Sequence, residues 1–286
     1  MKFGITGVNA AMGAVPEYAL GLARAAEETG IESLWTVEHV VVPEGYDSTY
    51  PYSKTGKMPG GGDVPITDPL VWLSYVAAVT ERIKLGTAII ILPQRNPVVF
   101  AKEVATLDVL SGGRVLLGVG IGWLKEEFDA IGVPFEQRGA RTDDYVAAMR
   151  VLWREPVPTY RGTFASFEGA KQYPKPVQTA GIPVVIGGHT EAAARRAGRI
   201  GDGFFPWGIK PNDLPPLLDA MRAAAREVGR DPDSIELTCG GPPDAERAKQ
   251  YADLGVARYV TSVFAGSVED ARRALGELAD TVIAKV

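Results

Sequence analysis

One cysteine among 286 residues, Cys239, leaves nothing for an intramolecular disulfide framework and fits a reducing cytoplasm. Only two histidines are present, His39 and His189, and neither belongs to a metal-binding motif or a nucleophile triad. No apolar run approaches the roughly 20 residues that a spanning helix needs, so a membrane role is excluded. The start, Met1-Lys-Phe-Gly-Ile5, enters a strand pattern directly and carries no secretory apolar segment. Basic charge is also lacking: the formal net charge of −5 argues against nucleic acid as a partner. A cytoplasmic protein acting on small molecules is the class that survives.

What the chain has is rhythm. At 46% hydrophobic it can bury a large core, and short apolar strands alternate with amphipathic helices from end to end. Strands are expected at Phe3 to Thr6, Ser33 to Val37, Lys84 to Ile91, Arg114 to Val119, Pro183 to Ile186, Gly203 to Pro206, Ser234 to Cys239 and Arg258 to Val263. Proline or a capping residue opens many of the intervening helices, as at Pro16, Asp68-Pro69 and Pro97. Eight strand–helix units predict one domain over residues 1–286, a single (β/α)8 TIM barrel of α/β class. A doubly wound sheet would need GxGxxG after the first strand, where Gly7-Val-Asn-Ala-Ala-Met-Gly13 stands instead. Two departures interrupt the alternation. One is a long Pro-, Gly- and Tyr-rich loop after strand two, Val40 to Thr67. The other is an insertion between helix four and strand five, with a hairpin at Tyr160 to Phe167.

Barrel chemistry sits on the loops that follow the strands. Strand two ends in Glu38-His39, an imidazole beside a carboxylate at the expected mouth. Gly118-Val-Gly-Ile-Gly-Trp123 leaves strand four, and its bare backbone at Gly120 and Gly122 would let a flat ligand approach, flanked by Trp123; the P-loop ending is missing. Gly187-Gly-His-Thr190 follows strand five and offers free amides at a helix N-terminus, which favours an anion, although capping by Thr190 explains the residue equally well. Tyr50 and Tyr52 on the long loop are candidate lid aromatics, and Trp207 a candidate cavity wall for substrate. Cys239 is expected to be a small buried residue, and the loops at Gly240 to Pro243 and Phe264 to Gly266 to carry little chemistry.

In this order these segments resemble the luciferase-like monooxygenase superfamily, particularly its branch using the deazaflavin coenzyme F420. The resemblance runs through Glu38-His39, Tyr50-Pro-Tyr52, Leu92-Pro-Gln-Arg-Asn-Pro97, Leu107-Asp-Val-Leu-Ser-Gly-Gly-Arg114, Gly118 to Trp123 with Glu127-Phe128, and Gly187-Gly188. It implies a luciferase-type barrel whose third strand is bulged, often with a non-prolyl cis peptide, to back the cofactor ring; here that falls within Ala88 to Leu92 and assigns ring backing to Ile89, Ile90 and Ile91. It places Glu38-His39 at the ring's reactive edge, His39 acting on a proton and Glu38 orienting it. It assigns cofactor phosphate to Gly187, Gly188, His189 and Thr190, and a basic groove near Lys54, Lys57, Arg95, Arg138 or Arg141 would suit a deazaflavin's acidic tail. The activity implied is hydride transfer between F420 and a small organic substrate. The alternatives are an FMN-dependent monooxygenase and a non-catalytic flavin- or deazaflavin-binding protein. A homodimer is the family's habit, with the helices around 70–79 and 97–110 as its face. Sugar-phosphate dehydrogenases of the branch carry Asp before the histidine and a further histidine late in the chain; Glu38 and the lack of a histidine after His189 speak against that substrate.

Overall fold

The computed structural model describes all residues 1–286. Eight parallel strands close into a barrel: β1 (Lys2–Thr6), β2 (Ser33–Thr36), β3 (Lys84–Thr87, resuming as Ile90–Ile91), β4 (Val115–Gly120), β5 (Val184–Gly187), β6 (Gly203–Phe205), β7 (Glu236–Gly240) and β8 (Arg258–Ser262). Each strand pairs with its neighbour in sequence, and β1 closes on β8 with Phe3 opposite Tyr259. The helices are α1 (Pro16–Glu28), α2 (Pro69–Ala77), α3 (Pro97–Leu110), the short α4 (Lys125–Ala130), α5 (Arg138–Arg154), α6 (Glu191–Ile200), α7 (Pro215–Glu227), α8 (Ala245–Asp253) and α9 (Val268–Thr281). Asp68 caps α2 as the sequence predicts, accepting from the Val71 amide at 2.9 Å, and Asn96 caps α3 by accepting from Val98 and Val99. No helix is long and apolar enough to cross a membrane.

Strand alternation divides the apolar side chains into two cores. The larger lies between strands and helices; the smaller fills the barrel and consists of Trp35, Leu116, Val185, Phe205 and Val260. Trp35 fits there because its neighbours are glycines. A Cβ on Gly86 would stand 2.5 Å from the indole, and one on Gly4 2.8 Å from its nitrogen. The amino-terminal end of the barrel is sealed by charge. Arg258, fully buried, donates to Glu32 at 2.7 and 2.8 Å and to Glu236 at 2.6 Å, beneath the Trp35 ring.

The third strand breaks where the ring-backing bulge is expected. From Gly86 opposite Leu116 to Ile90 opposite Val119, β3 advances four residues while β4 advances three. One extra residue is therefore accommodated at Ala88-Ile89, and the peptide between them is cis. The insertion folds as a two-stranded hairpin, Tyr160–Arg161 against Ser166–Phe167. Asp144 on α5 ties it down by accepting from the Phe164 and Ala165 amides. Asp108 on α3 similarly holds the returning chain at Val177 and Gln178.

Candidate active site at the barrel mouth

Two confluent cavities, of about 470 and 560 Å³, open at the carboxyl ends of the strands and share Ala88, Ile89, Gly187 and Gly188 in their walls. Ile89 stands between them. Strand alternation turns Ile89 and Ile91 toward the smaller cavity and Ile90 away from it, into the core beneath the helices. Ile90 thus cannot back a ring, contrary to the sequence expectation for all three isoleucines.

The glycines nearby have a different use from the one expected. A Cβ on Gly120 would lie 2.5 Å from the Ile89 side chain, and one on Gly187 equally close; at Gly122 the space is taken by Ile91 and Phe128. Their bareness seats the isoleucines, which in turn form the floor. Their backbones still line the cavity. Gly187→Ala is expected to displace Ile89 and cost about 1–3 kcal/mol. Because Ile89→Ala frees the same space, the double variant should be more stable than the sum of the single changes by at least about 0.5 kcal/mol in urea unfolding. Strict additivity would show that the two side chains do not compete.

His39 and Glu38 lie side by side in sequence but serve separate networks. Glu38 is buried, accepts from the Ile91 amide at 2.6 Å, and takes both arms of the Arg95 guanidinium, one at 2.9 Å. Burial pushes its carboxyl up, and Arg95 and the amide oppose that. It therefore clamps the far side of the bulge and does not orient His39. That task falls to Glu127, fully buried on α4, whose Oε2 lies 3.2 Å from His39 Nδ1. A carboxylate can only accept, so Nδ1 carries the proton, and Nε2 is left without a protein partner on a ring that lines the cavity. Trp123 packs edge-on to the imidazole at 5.7 Å.

The loop after β2 is held by the same short helix. Glu127 Oε1 accepts from Val40 at 2.6 Å, and Glu126 from Asp47 and Ser48 at 2.8 and 3.1 Å. The Ser48 hydroxyl and these amides hold the Glu126 carboxyl down at about 2. At the loop's root, buried Asn9 bonds Val37 on one side and Thr67 on the other. So anchored, the loop folds its aromatics over the mouth. Tyr50 packs on Trp123 at 5.2 Å and Tyr52 on His189 at 4.9 Å, both edge-on. Burial pushes the Tyr52 hydroxyl up to about 12, so it stays a neutral donor.

At the opposite end of the smaller cavity, β5 gives way to α6. Thr190 caps the helix by accepting from Ala193 at 3.2 Å, while Thr190, Ala192 and Arg196 all line the cavity. His189 Nδ1 is buried there without a partner. An orphaned ring nitrogen beside a helix N-terminus is a place for a ligand atom. None of the expected cations, Lys54, Lys57, Arg95, Arg138 and Arg141, lines either cavity. Arg95 pairs with Glu38, while Arg138, Arg141 and Lys57 donate to the carbonyls of Gly122, Pro134 and Tyr46. Arg196, paired with Asp143, is the cation that reaches this cavity, and the sequence reading missed it because it lies a full helical turn and a half beyond Thr190. Trp207 and Phe205 line the larger cavity, whereas Phe204 belongs to the core. Phe264 and Ala265 line it as well, so the loop after β8 contributes to the mouth after all. Cys239 is fully buried with its thiol pushed up to about 12, too high for a nucleophile.

Comparison with known proteins agrees with this geometry. The profile of the luciferase-like monooxygenase family matches residues 1–282. The chain belongs to that family. An uncharacterised protein of Mycobacterium tuberculosis is 34% identical over 284 residues, covering 98% of both chains. An F420-dependent glucose-6-phosphate dehydrogenase of Kineococcus radiotolerans is 31% identical over 255 residues, covering 86% of this chain and 70% of that one. Among solved structures, an F420-dependent secondary alcohol dehydrogenase bound to an F420–acetone adduct superposes with a TM-score of 0.80 at 19% identity, covering 100% and 99% of the two chains. This luciferase-like chain is an oxidoreductase by its family and has the family's barrel.

Proposed function

We propose that this luciferase-like protein is a coenzyme F420-dependent oxidoreductase, moving a hydride between the deazaflavin and a small organic substrate. The observation carrying the proposal is the smaller cavity. Its floor is the Ile89 bulge, the His39 ring lines it at one end, and the α6 N-terminus with unpartnered His189 Nδ1 and Arg196 closes the other. These residues fit a flat ring with an anionic tail. Ile89 and Ile91 would lie against one ring face, and the turn Gly188 to Thr190 with Arg196 would hold phosphate. The choice of deazaflavin over FMN is supported by the relative from Kineococcus.

When bound, the deazaflavin supplies a hydride to the substrate or accepts one from it. The chain's own part is to bind, to exclude water and to handle the accompanying proton. Tyr50 and Tyr52 line both cavities at the mouth and would cover a bound ring on its solvent side. His39 keeps a proton on Nδ1 through Glu127, so Nε2 is the atom that gives a proton to a substrate oxygen or takes one from it. Titrating the protein with F420 and with FMN, followed by cofactor fluorescence, tests the reading. F420 is expected to bind at least about 10-fold more tightly, about 1.4 kcal/mol. Uptake of FMN alone would point to the monooxygenase alternative, and uptake of neither would end the cofactor reading.

A second copy of the chain is the partner we propose, through α2 and the start of α3. Val71 and Val99, with Tyr75, are exposed there, 70% and 56% for the two valines, on helices that pack side by side. Sedimentation should give twice the monomer mass, reverting to the monomer in Val71→Asp; a monomeric parent protein would refute it.

A further inference from the structure

The larger cavity differs from the smaller in one respect that bears on chemistry: it contains no charge. None of its 25 lining residues is Asp, Glu, Lys, Arg or His, and 18 are hydrophobic. Met12, Leu22, Phe205, Trp207 and Val263 are part of the apolar wall. The polar groups among them are neutral, and one stands out. Tyr18, on the first turn of α1, is 5% exposed and lines this cavity but not the other. Burial alone acts on its hydroxyl, which has no hydrogen-bonding partner in the protein. The hydroxyl is also absent from the atoms sealed away without a partner, so the cavity is what it meets.

We propose that this cavity is the substrate pocket, and that it takes an uncharged, largely apolar molecule bearing a carbonyl or hydroxyl group that bonds to Tyr18. The proposal rests on the smaller cavity being the cofactor site, since the two meet over Ile89 and a substrate here would lie next to the ring. An anionic substrate is disfavoured on physical grounds. A carboxylate or phosphate in this cavity would lose its water without gaining a cation, and the lost solvation is not recovered from neutral hydroxyls. A ketone or alcohol with a hydrocarbon body loses little on entry, and its oxygen would occupy the unmet hydroxyl of Tyr18. A bound apolar body also gains from the indole of Trp207, which is packed edge-on against Phe205 at 5.9 Å and so is held rigid.

Methyl octyl ketone and its ω-carboxylate analogue, which differ only at the far end of the chain, provide the test. In the cofactor-free protein, tryptophan fluorescence should respond to the ketone, with the carboxylate at least about 100-fold weaker. The response should be largely lost in Trp207→Phe, and Tyr18→Phe should weaken ketone binding by about 2- to 10-fold. With F420 added, kcat/KM for the two compounds should show the same order. Equal or tighter binding of the carboxylate would overturn the proposal, as would a full fluorescence response in Trp207→Phe, which would place the ketone elsewhere. The two readings fail separately. Ketone binding as expected without F420 uptake removes the cofactor assignment and leaves a neutral apolar pocket; F420 uptake with preference for the carboxylate removes the substrate class alone.

Discussion

His39→Ala is expected to lower turnover by about 100-fold or more while cofactor affinity stays within about 3-fold. The expectation follows from where the two ring nitrogens go. Nδ1 is held by buried Glu127 at 3.2 Å, and the ring is braced by Trp123, so the Nε2 position is fixed before any substrate arrives. Removing the imidazole takes away the proton carrier and leaves the Ile89 floor and the α6 end of the cavity as they were. Glu127→Gln should fall between parent and His39→Ala. Its amide has one acceptor oxygen, so it can serve Nδ1 or the Val40 amide but not both, and it offers no charge. Single-turnover absorbance of the deazaflavin, combined with a fluorescence titration for affinity, separates chemistry from binding. Near-normal turnover in His39→Ala with intact affinity would remove the residue from proton transfer.

The largest effect on stability is expected at the other end of the barrel. Arg258→Ala should cost about 3 kcal/mol, the low end for a broken buried pair, because it removes a buried cation from two partly exposed carboxylates, of which Glu236 keeps Lys2. Replacing Arg258 by methionine should cost less only if Glu32 and Glu236 are changed with it. A pH dependence comes with this. Burial would raise both carboxyls, yet the Arg258 guanidinium, assisted by Lys2, outweighs it and holds both below the usual carboxylate range. A depressed folded-state value means that the stabilisation is complete above the unfolded carboxylate value, near pH 4.5, and is lost as pH falls through the folded one. Urea unfolding between pH 7 and pH 3 should show the parent protein losing stability more steeply than Arg258→Ala. Parallel curves would show that the cluster contributes nothing through its charge.

The barrel was legible because its signals are local. Strand length, alternation, Pro at helix starts and the cap residue Asp68 each act within a few residues, and each is where the structure has it. The Gly187 to Thr190 turn and the aromatics of the long loop were legible for the same reason. Pairings across the mouth were not. Glu38 and His39 are neighbours in sequence, and nothing local reveals that one carboxylate turns toward Arg95 while the imidazole turns toward Glu127, 88 residues away. Glycines suffer a related ambiguity. Gly120 reads as room for a flat ligand and Gly187 as part of an anion-favouring turn, yet the space beside both belongs to Ile89, a contact between strands that only their register fixes.

Sequence alone settled the strand–helix count, the closed α/β architecture and the end of the barrel where the cavities open, since these follow from periodicity and turn chemistry along the chain. Tertiary structure alone decided which carboxylate serves His39, which isoleucine forms the floor, and that Arg196 rather than the expected cations reaches the cavity. Those outcomes depend on distances between strands far apart in sequence, set by the one-residue bulge in β3 and by competition for buried partners.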